Sequence, residues 1–431
     1  MNLPTGGVVT LKRREFLTGV GATSAALLLG GCGKGLQSPP GTVSFYSDNP
    51  TWKTGFADAS RELKKVSGIG LDILSVPTVT SYEQVIKSQL QTSKSPDLLK
   101  WWNGYRLQDL ARIGQLADLT DVWEAAATKG WIDSAIRPDC SYDNKVYGLP
   151  LHESYYVVFY SKKVFAKHGI APPATWVDFM AAAATVKRAG ITPFVSTQSY
   201  PWSFVWFEEL ISKLDVTFYQ KLTAGQASYT DPLAKQALGL WAEMIDKGYF
   251  TSPDTDLTAA PAMLRAGSVA MYPCGTWNNQ VIQAAGLKSG SDLDAFIMPT
   301  VQPGGKKSVV VEAATFVMPA RAPQKAQTHR VMQHWLDPSV QKVWSAYLVD
   351  SAPNPTVVSP DPVIRHVQAL VKQTNPIRVN RYWEASPPAL VEANVQDLGD
   401  FMIHPGKANS VLSRMQKRAD AEWAYWKQEV S

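Results

Sequence analysis

Residues 81–104 read SYEQVIKSQLQTSKSPDLLKWWNG. The first four of them have the form of a capping box, in which two side chains and the backbone N–H groups of the first helical turn satisfy one another. Apolar residues continue at helical spacing as far as Leu90, and Ser95-Pro96 breaks the pattern. The stretch therefore predicts a helix that ends before an apolar, tryptophan-containing run at residues 98–102.

Segments typical of helices and strands alternate along the rest of the chain. Residues 42–46 (TVSFY) are typical of a first strand, and residues 175–178 open a second capped helix. Asp231 places a cap residue before a proline at the first helical position, and Gly248 ends that helix. This alternation indicates an α/β fold with mainly parallel sheets.

Several motifs resemble the carbohydrate-binding proteins of ABC importers. Residues 95–104 are similar to that family's Pro-Asp, apolar pair and Trp-Gly-Gly segment, and residues 110–120 (LARIGQLADLT) to the stretch that follows it. Further matches follow in family order: YGLP at 147–150, VFYSKKVF at 158–165, PATW at 173–176, MLRAGSVAM at 263–271 and Gly275-Thr276-Trp277. They span most of the chain, which is identified as a member of this family.

The resemblance implies a two-lobed fold of the class II periplasmic-binding-protein type, each lobe a mixed sheet flanked by helices. The ligand would bind between the lobes and pass to the permease subunits of an ABC importer, and the protein would be a monomer and not an enzyme. Because such chains cross between lobes more than once, we expect discontinuous domains. We place residues 42–152 and 298–338 in the first lobe, and 153–297 and 339–431 in the second.

The N-terminus has the order of an export signal. Arg13 and Arg14 precede an apolar, small-residue stretch that is too short and too rich in glycine for a transmembrane helix. Paired arginines are typical of the twin-arginine route. Cys32 follows Leu29-Gly30-Gly31 and resembles the lipidated cysteine of bacterial lipoproteins. We therefore expect a signal at 1–31, a lipid anchor and tether at 32–41, and a protein held at the outer face of the cytoplasmic membrane.

Composition argues against a nucleic-acid-binding protein and against a small disulfide-rich protein. The formal charge is +5, of which the signal contributes +2, and no dense basic run predicts nucleic-acid binding. Of the three cysteines, Cys140 and Cys274 remain when Cys32 is lipidated, too few for a disulfide scaffold. Free, buried thiols are expected.

Aromatic residues favour a sugar as the ligand. The chain contains 15 Trp, 16 Tyr and 14 Phe. The C–H faces of a pyranose stack on aromatic rings, and its hydroxyl groups need polar partners. Each aromatic contact contributes about 0.5–1.5 kcal/mol beyond area burial, so several are needed for micromolar binding.

Two tryptophans are the first candidates for such stacking. The resemblance places Trp102 at a strand end and Trp277 in a loop at the cleft, with a core position as the alternative for Trp102. Trp101 points away if the chain is extended, and Asn103 and Arg106 are possible hydroxyl partners in the next loop.

Further candidates combine a polar group or a ring with a place near strand ends or lobe crossings: Tyr46, Asp48, Glu153, Glu312, Trp383 and Glu384. Asp48 could instead form a turn, Glu153 hold a hinge, and Glu312 pair structurally in its apolar run. Trp202 and Trp206 could also contribute, but the aromatic cluster that contains them is more typical of a core.

An exported glycan-active enzyme is the alternative function. No catalytic or metal-binding motif occurs, so no metal and no cofactor are expected. Asp254 and Asp256 are the nearest approach to a hydrolytic carboxylate pair. A different solute, such as a glycerophosphodiester, is the alternative ligand. It would need an arginine cluster or a glycine-rich helix N-terminus.

Overall fold

The computed structural model describes residues 38–428, so the predicted signal, Arg13, Arg14 and Cys32 lie outside the described residues. Its strands are β1 (Thr42–Ser47), β2 (Gly70–Ser75), β3 (Leu98–Trp101), β4 (Ser141–Tyr142), β5 (Lys145–Val146), β6 (Gly148–Pro150), β7 (Ser154–Ser161), β8 (Thr192–Phe194), β9 (Val269–Gly275), β10 (Leu293–Phe296), β11 (Ser308–Glu312), β12 (Thr315–Val317) and β13 (Ile377–Asn380).

Helices fill most of the intervening segments. They are α1 (Lys53–Ser67), α2 (Val79–Leu90), α3 (Gly104–Arg112), α4 (Thr120–Thr128), α5 (Lys162–Lys167), α6 (Trp176–Arg188), α7 (Val205–Leu214), α8 (Val216–Thr223), α9 (Pro232–Asp246), α10 (Ala260–Ala266), α11 (Asn279–Ala284), α12 (Lys325–Trp335), α13 (Pro338–Leu348), α14 (Pro362–Thr374), α15 (Tyr382–Ala385), α16 (Pro388–Ile403) and α17 (Ala408–Gln428). Short 3-10 helices include Pro50–Trp52, Ser134–Cys140, Trp202–Phe204 and Thr276–Asn278.

The first sheet has five strands in the order β2-β1-β3-β12-β6. β1 pairs in parallel with β2 and β3, whereas β12 runs antiparallel to β3 and β6. Helices α1, α12 and α13 pack on one another beside it. Phe56 of α1 stacks on Trp344 of α13, with ring centroids 4.2 Å apart, in the core beneath this sheet. We call this sheet with its helices the first lobe.

The second sheet follows the order β13-β11-β7-β9-β8, and β10 also pairs with β7. β7 (SYYVVFYS) is buried along its whole length and runs antiparallel to β9, β10 and β11. Both sheets are therefore mixed, as the family resemblance implied. The expectation of mainly parallel sheets was wrong, because β12 and β7, the strands that follow crossings between the sheets, run antiparallel to their neighbours. The second sheet with its helices is the second lobe.

The chain crosses between the lobes three times. β6 leads to β7, β11 leads to β12, and the segment after α13 leads to α14, which packs on β10. These crossings differ from the boundaries expected from the sequence. β11, expected in the first lobe, pairs with β7 and β13 of the second. α13, almost all of it expected in the second lobe, packs on α1 of the first.

Helix caps follow the sequence at two of three predicted positions. Thr175 and Asp178 form the capping box of α6, and Asp231 caps α9 with Pro232 at its first position. α2 begins earlier than predicted, at Val79, because the side chain of Thr78 accepts a hydrogen bond from the N–H of Ser81.

The cysteine prediction is confirmed for the two described residues. Cys140 and Cys274 are buried and are not bonded to each other, and burial raises the pKa of the Cys274 thiol to about 12. In the part of the chain that the structure describes, no helix has both the length and the apolar character needed to cross a membrane.

Candidate functional site

Strand ends from both lobes meet at the edge that each sheet turns toward the other lobe. Asp48 follows β1, Trp102 follows β3, and Arg381 follows β13. Trp277 lies just after β9, and Glu312 is the last residue of β11. The carboxyl ends of parallel strands are where open α/β sheets bind ligands, so this edge is the first place to look for a site.

These side chains enclose one cavity of about 100 Å³. A smaller cavity of about 20 Å³ continues from it and shares Trp202 and Trp277. The residues that line the main cavity are Asp48, Asn49, Trp52, Val79, Lys100 and Trp102 from the first lobe, and Pro201, Trp202, Phe204, Trp277, Glu312, Arg381 and Trp383 from the second. We call this cavity the aromatic cleft, because five of its lining residues are tryptophans.

Three tryptophans of the second lobe line the aromatic cleft, and the planes of their rings are not parallel. Trp202 and Trp277 lie with ring centroids 5.5 Å apart and planes inclined by 33°. Trp383 stacks near Phe204 and beneath the guanidinium of Arg106, which lies 3.7 Å from its ring centroid. Both Trp202 and Trp277 are partly exposed, as binding platforms must be.

Trp102 supplies the corresponding face of the first lobe. Its side chain is 3% exposed, and the Lys100 ammonium lies 4.4 Å from its ring centroid. Its neighbour Trp101 is turned into the core, where its indole N–H donates to the carbonyl of Arg106. The core position predicted for Trp101 is confirmed, but the predicted opposite direction of the two rings is wrong, because they pack edge to face with centroids 5.1 Å apart.

The charged groups of the aromatic cleft neutralise one another. Lys100 Nζ lies 3.0 Å from Asp48, and Arg381 Nη1 lies 2.8 Å from Glu312 Oε2. Arg381 also pairs with Glu384. Burial raises the pKa of Glu312 to about 7, although Arg381 opposes this shift. Each lining cation is matched by a carboxylate, so the cleft offers no spare positive charge to an anionic ligand.

Several buried polar atoms of the cleft have no hydrogen-bond partner. They are Asp48 Oδ1, Glu312 Oε2 and the indole Nε1 of Trp277. Both carboxylate oxygens nevertheless lie in ion pairs, Asp48 Oδ1 with Lys100 Nζ at 3.0 Å and Glu312 Oε2 with Arg381 Nη1 at 2.8 Å, which are poorly directed for a hydrogen bond. Buried polar groups without partners are uncommon and costly. The indole N–H of Trp277 can therefore donate to a hydroxyl group, and the two ion-paired carboxylates can accept from hydroxyl groups in addition to their cations.

His152 lies beside the cleft in a position that keeps it neutral. It is 1% exposed and packs edge-on against Trp52, with ring centroids 5.7 Å apart. Burial, followed by the charges of Lys100 and Arg381, lowers its pKa to about 3. Neither ring nitrogen has a hydrogen-bond partner.

The structure brings five of the nine predicted ligand-binding residues to the aromatic cleft: Asp48, Trp102, Trp277, Glu312 and Trp383. It places the other four elsewhere. Tyr46 is buried, with its carbonyl accepting from the hydroxyl of Tyr82, and Glu384 is fully buried against Arg381. Asn103 donates to Asn380 across the lobes at 2.9 Å.

Glu153 pairs with Arg378 at a second cavity, of about 430 Å³. Its walls come from both lobes and include Tyr105, Asp139 and Tyr219, but no tryptophan. Burial raises the pKa of Asp139 to about 7. Although this cavity is larger, its aromatic lining consists of two tyrosines, against the five tryptophans of the aromatic cleft.

Arg381 and Lys100 line the cleft although the sequence does not single them out. Trp202, for which the aromatic neighbours favour a core position over a ligand role, lines the cleft beside Trp277. The signal that could have found it is Pro201, which starts a short 3-10 helix and interrupts any regular core-facing pattern. Arg106, expected in a loop, lies in α3 and is engaged in buried ion pairs.

Residues considered for other chemistry have structural roles. Asp254 accepts a hydrogen bond from the hydroxyl of Ser252, and Asp256 accepts one from the backbone N–H of Thr258. Within residues 38–428, no group of three or more His, Cys, Asp or Glu side chains is arranged to hold a metal ion.

Comparison with solved structures identifies the fold. The chain superimposes on the bacterial solute receptor AcbH, described as having an exclusive preference for β-D-galactopyranose, with a TM-score of 0.80, 20% identity, and coverage of 89% of this chain and 99% of that one. A chitin oligosaccharide binding protein gives a TM-score of 0.79 at 16% identity, over 88% and 98% of the two chains. The chain thus has the two-lobed periplasmic-binding-protein fold.

The curated relatives match a smaller share of the chain than the solved structures do. An uncharacterised ABC transporter extracellular-binding protein of Pyrococcus horikoshii is 28% identical over 56% of this chain and 54% of its own length. A probable sugar-binding periplasmic protein of Mesorhizobium japonicum is 25% identical over 50% and 52%. The chain spans about half the length of the curated relatives it matches.

A family model covers most of the described chain. The model described as "Bacterial extracellular solute-binding protein" matches residues 61–370. This range includes both sheets except β1 and β13, and all the cleft residues except Asp48, Asn49, Trp52, Arg381 and Trp383. The proteins of this family bind solutes and are not enzymes. The chain belongs to the bacterial extracellular solute-binding protein family.

Proposed function

We propose that the aromatic cleft binds an uncharged sugar or oligosaccharide, which the protein delivers to the permease subunits of an ABC importer. The observation that carries this proposal is the set of five tryptophans around the ion-paired carboxylates of Asp48 and Glu312 and the unpartnered indole N–H of Trp277. Sugar rings present apolar faces and hydroxyl edges, and this cleft offers a partner for each.

Names of similar proteins agree with a carbohydrate ligand. The Mesorhizobium japonicum relative is called a probable sugar-binding periplasmic protein, and one from Streptococcus mutans a multiple sugar-binding protein. The structural neighbours named above are described with galactopyranose and with chitin oligosaccharides. The matched charges of Lys100 and Arg381 argue against a glycerophosphodiester, since no cation of the cleft is left for its phosphate.

The experiment is a ligand screen on the domain that starts at residue 38. Tryptophan fluorescence and melting temperature are measured against monosaccharides, β-linked and α-linked oligosaccharides, and glycerophosphocholine, with chromatography to detect products. A saturable change with one class of sugar and no product is expected. No response to any sugar contradicts the proposal, and released product indicates the glycan-active enzyme instead.

We further propose that residues 1–31 direct export through Arg13 and Arg14, and that Cys32 is lipidated and anchors the protein at the outer face of the membrane. Support comes from the order of basic and apolar residues before Cys32 and from the extracellular character of the family. In a bacterial host with lipoprotein processing, Cys32→Ala should move the exported protein from the membrane fraction to the soluble fraction. An unchanged membrane fraction contradicts the anchor.

A further inference from the structure

Asp350 is a buried carboxylate at the crossing that follows α13. It is 0% exposed. Its hydrogen-bond donors are two hydroxyl groups and one backbone N–H. Oδ1 accepts hydrogen bonds from the hydroxyl of Thr276 at 2.6 Å and from the N–H of Ser351 at 2.8 Å. Oδ2 accepts from the hydroxyl of Ser154. Both oxygens are therefore used to join three separate segments of chain.

Two of these segments are crossings between the lobes. Ser154 is the first residue of β7, where the chain enters the second lobe from β6. Ser351 belongs to the crossing that leaves α13, and its carbonyl accepts from the N–H of Glu153 at 3.2 Å. The carboxylate and this backbone bond together fasten the two crossings side by side.

The third segment carries a face of the aromatic cleft. Thr276 immediately precedes Trp277, and its hydroxyl oxygen also accepts from the N–H of Tyr155 at 3.1 Å. Thr276 is fully buried, whereas Trp277 is partly exposed in the cleft. The position of the Trp277 backbone is thus fixed to the same carboxylate that holds the crossings together.

We propose that Asp350 is a positioning residue that couples the angle between the lobes to the placement of the Trp277 platform. A ligand that stacks on Trp277 then acts on the crossings through Thr276 and Asp350, and lobe closure presents Trp277 in its binding position. This inference rests on the proposed function for its ligand, but the hydrogen bonds that carry it are independent of which sugar binds.

The test compares two variants at Asp350. Asp350→Asn keeps the shape, and its amide can donate to Ser154 while its oxygen accepts from Thr276 and Ser351. Asp350→Ala removes all three bonds. The matched control is Asp97→Ala, which removes a buried carboxylate that accepts from Ser44 and Gln324 entirely within the first lobe. It should lower the melting temperature without affecting the crossings.

Two measurements are made well below the melting temperature of each variant. One is the dissociation constant for a sugar that the wild-type protein binds, and the other is the distribution of distances between dye labels on the two lobes without added sugar. For Asp350→Ala we expect affinity at least about tenfold weaker and a broader distance distribution. Asp350→Asn should restore both, and Asp97→Ala should leave both unchanged.

The outcomes separate this inference from the proposed function. If the wild-type protein binds no sugar, the proposed function fails, while the distance distribution still tests the coupling. A distribution in Asp350→Ala as narrow as in the wild type overturns the inference. Affinity that falls equally in Asp350→Ala and Asp97→Ala would show that Asp350 contributes only to general stability, and would overturn it as well.

Discussion

Trp277 and Trp202 form the part of the aromatic cleft where a sugar ring has most access. Their rings lie 5.5 Å apart and are partly exposed, while Trp52, Trp102 and Trp383 are at most 5% exposed. Aromatic side chains in such positions commonly dominate binding energy, with losses above 2 kcal/mol on truncation. The energy of ligand binding should therefore depend more on these two residues than on any other pair.

Trp277→Ala and Trp202→Ala should each weaken sugar binding at least about tenfold, equivalent to about 1.4 kcal/mol. The melting temperature should change little, because both side chains are only partly buried. Isothermal titration calorimetry measures the dissociation constants, and Trp131→Ala, at a partly buried tryptophan outside the cleft, is the control. Unchanged affinity in both cleft variants would place the site elsewhere.

Trp102→Ala should also weaken binding, but it should lower stability as well. Its ring is almost fully buried between Lys100 and Arg106, and deletion of a buried tryptophan typically costs about 3–5 kcal/mol. Urea unfolding beside calorimetry separates the two effects. A variant with wild-type stability would show that the ring is not part of the core.

Single residues also show why the sequence predicted only part of the site. The tryptophans that follow β3 and β9 could be placed, because the motifs around them resemble those of a known family. Glu153 could not, since it pairs with Arg378, far away along the chain, and that pairing depends on the fold. Asn103 likewise bonds to a residue 277 positions away.

At the scale of elements, α3 is fastened to the helices of the second lobe. Arg106 of α3 donates through Nε to the carbonyl of Trp383 in α15 at 3.1 Å. Its other nitrogens reach Glu83 of α2 at 2.5 Å and Glu392 of α16 at 3.1 Å. Tyr105 packs edge-on against Trp423 and Trp426 of α17. The contacts of Arg106 with the carbonyl and the ring of Trp383 hold that tryptophan at the wall of the aromatic cleft.

Arg106→Lys should destabilise the protein by about 2–3 kcal/mol, because a lysine cannot bond to Trp383, Glu83 and Glu392 at once and leaves the mostly buried Glu83 poorly paired. Ligand binding should weaken too, since Trp383 loses its guanidinium neighbour. Urea unfolding measures the first effect. The control is Arg137→Lys in the exposed pair with Glu124, where a loss below about 1 kcal/mol is expected. Equal losses in both variants would contradict the role of Arg106.

The elements themselves were easier to predict than their arrangement. Capping residues such as Thr175 and Asp231 act within one helical turn, so the sequence alone locates α6 and α9. The direction of β7 and the partners of β11 depend on chain segments far away. Local patterns cannot reveal such pairings, and this is why the expected lobe boundaries differ from the observed crossings.

At the scale of the whole molecule, buried carboxyl groups at the lobe crossings make stability depend on pH. Burial raises the pKa of Asp350 to about 7, and its hydrogen bonds to Ser154, Thr276 and Ser351 reduce the shift while the charge of Glu312 adds to it. Glu312 has its own pKa raised to about 7. In the unfolded chain both groups titrate near pH 4, so the folded state binds protons more tightly than the unfolded state.

The contribution of these groups to the free energy of unfolding is therefore fully present below about pH 4 and is lost as the pH rises to about 7. The slope for one such group is about 1.4 kcal/mol per pH unit. The melting temperature of the wild type should fall from pH 5 to pH 7.5 by more than that of Asp350→Asn, which cannot titrate at this position. Parallel pH profiles for the two proteins would contradict the raised pKa.

Entry of a sugar requires the lobes to separate. The aromatic cleft encloses about 100 Å³, whereas pockets for drug-sized ligands usually measure about 300–1,000 Å³. Its walls come from both lobes, which are joined by three narrow crossings. Hinge closure about such crossings is a common response of two-lobed binding proteins. The solution state before binding should thus be more open than the state with sugar bound.

Small-angle scattering should show a smaller radius of gyration when a saturating sugar is added. The compaction should be reduced in Trp277→Ala at the same sugar concentration, because a weaker ligand shifts the balance between open and closed states less. A sugar that the wild-type protein does not bind serves as the control for solvent contrast. If the bound sugar leaves the radius of gyration unchanged, the cleft admits its ligand without lobe movement, and local displacement of Trp202 and Trp277 would have to make the room instead.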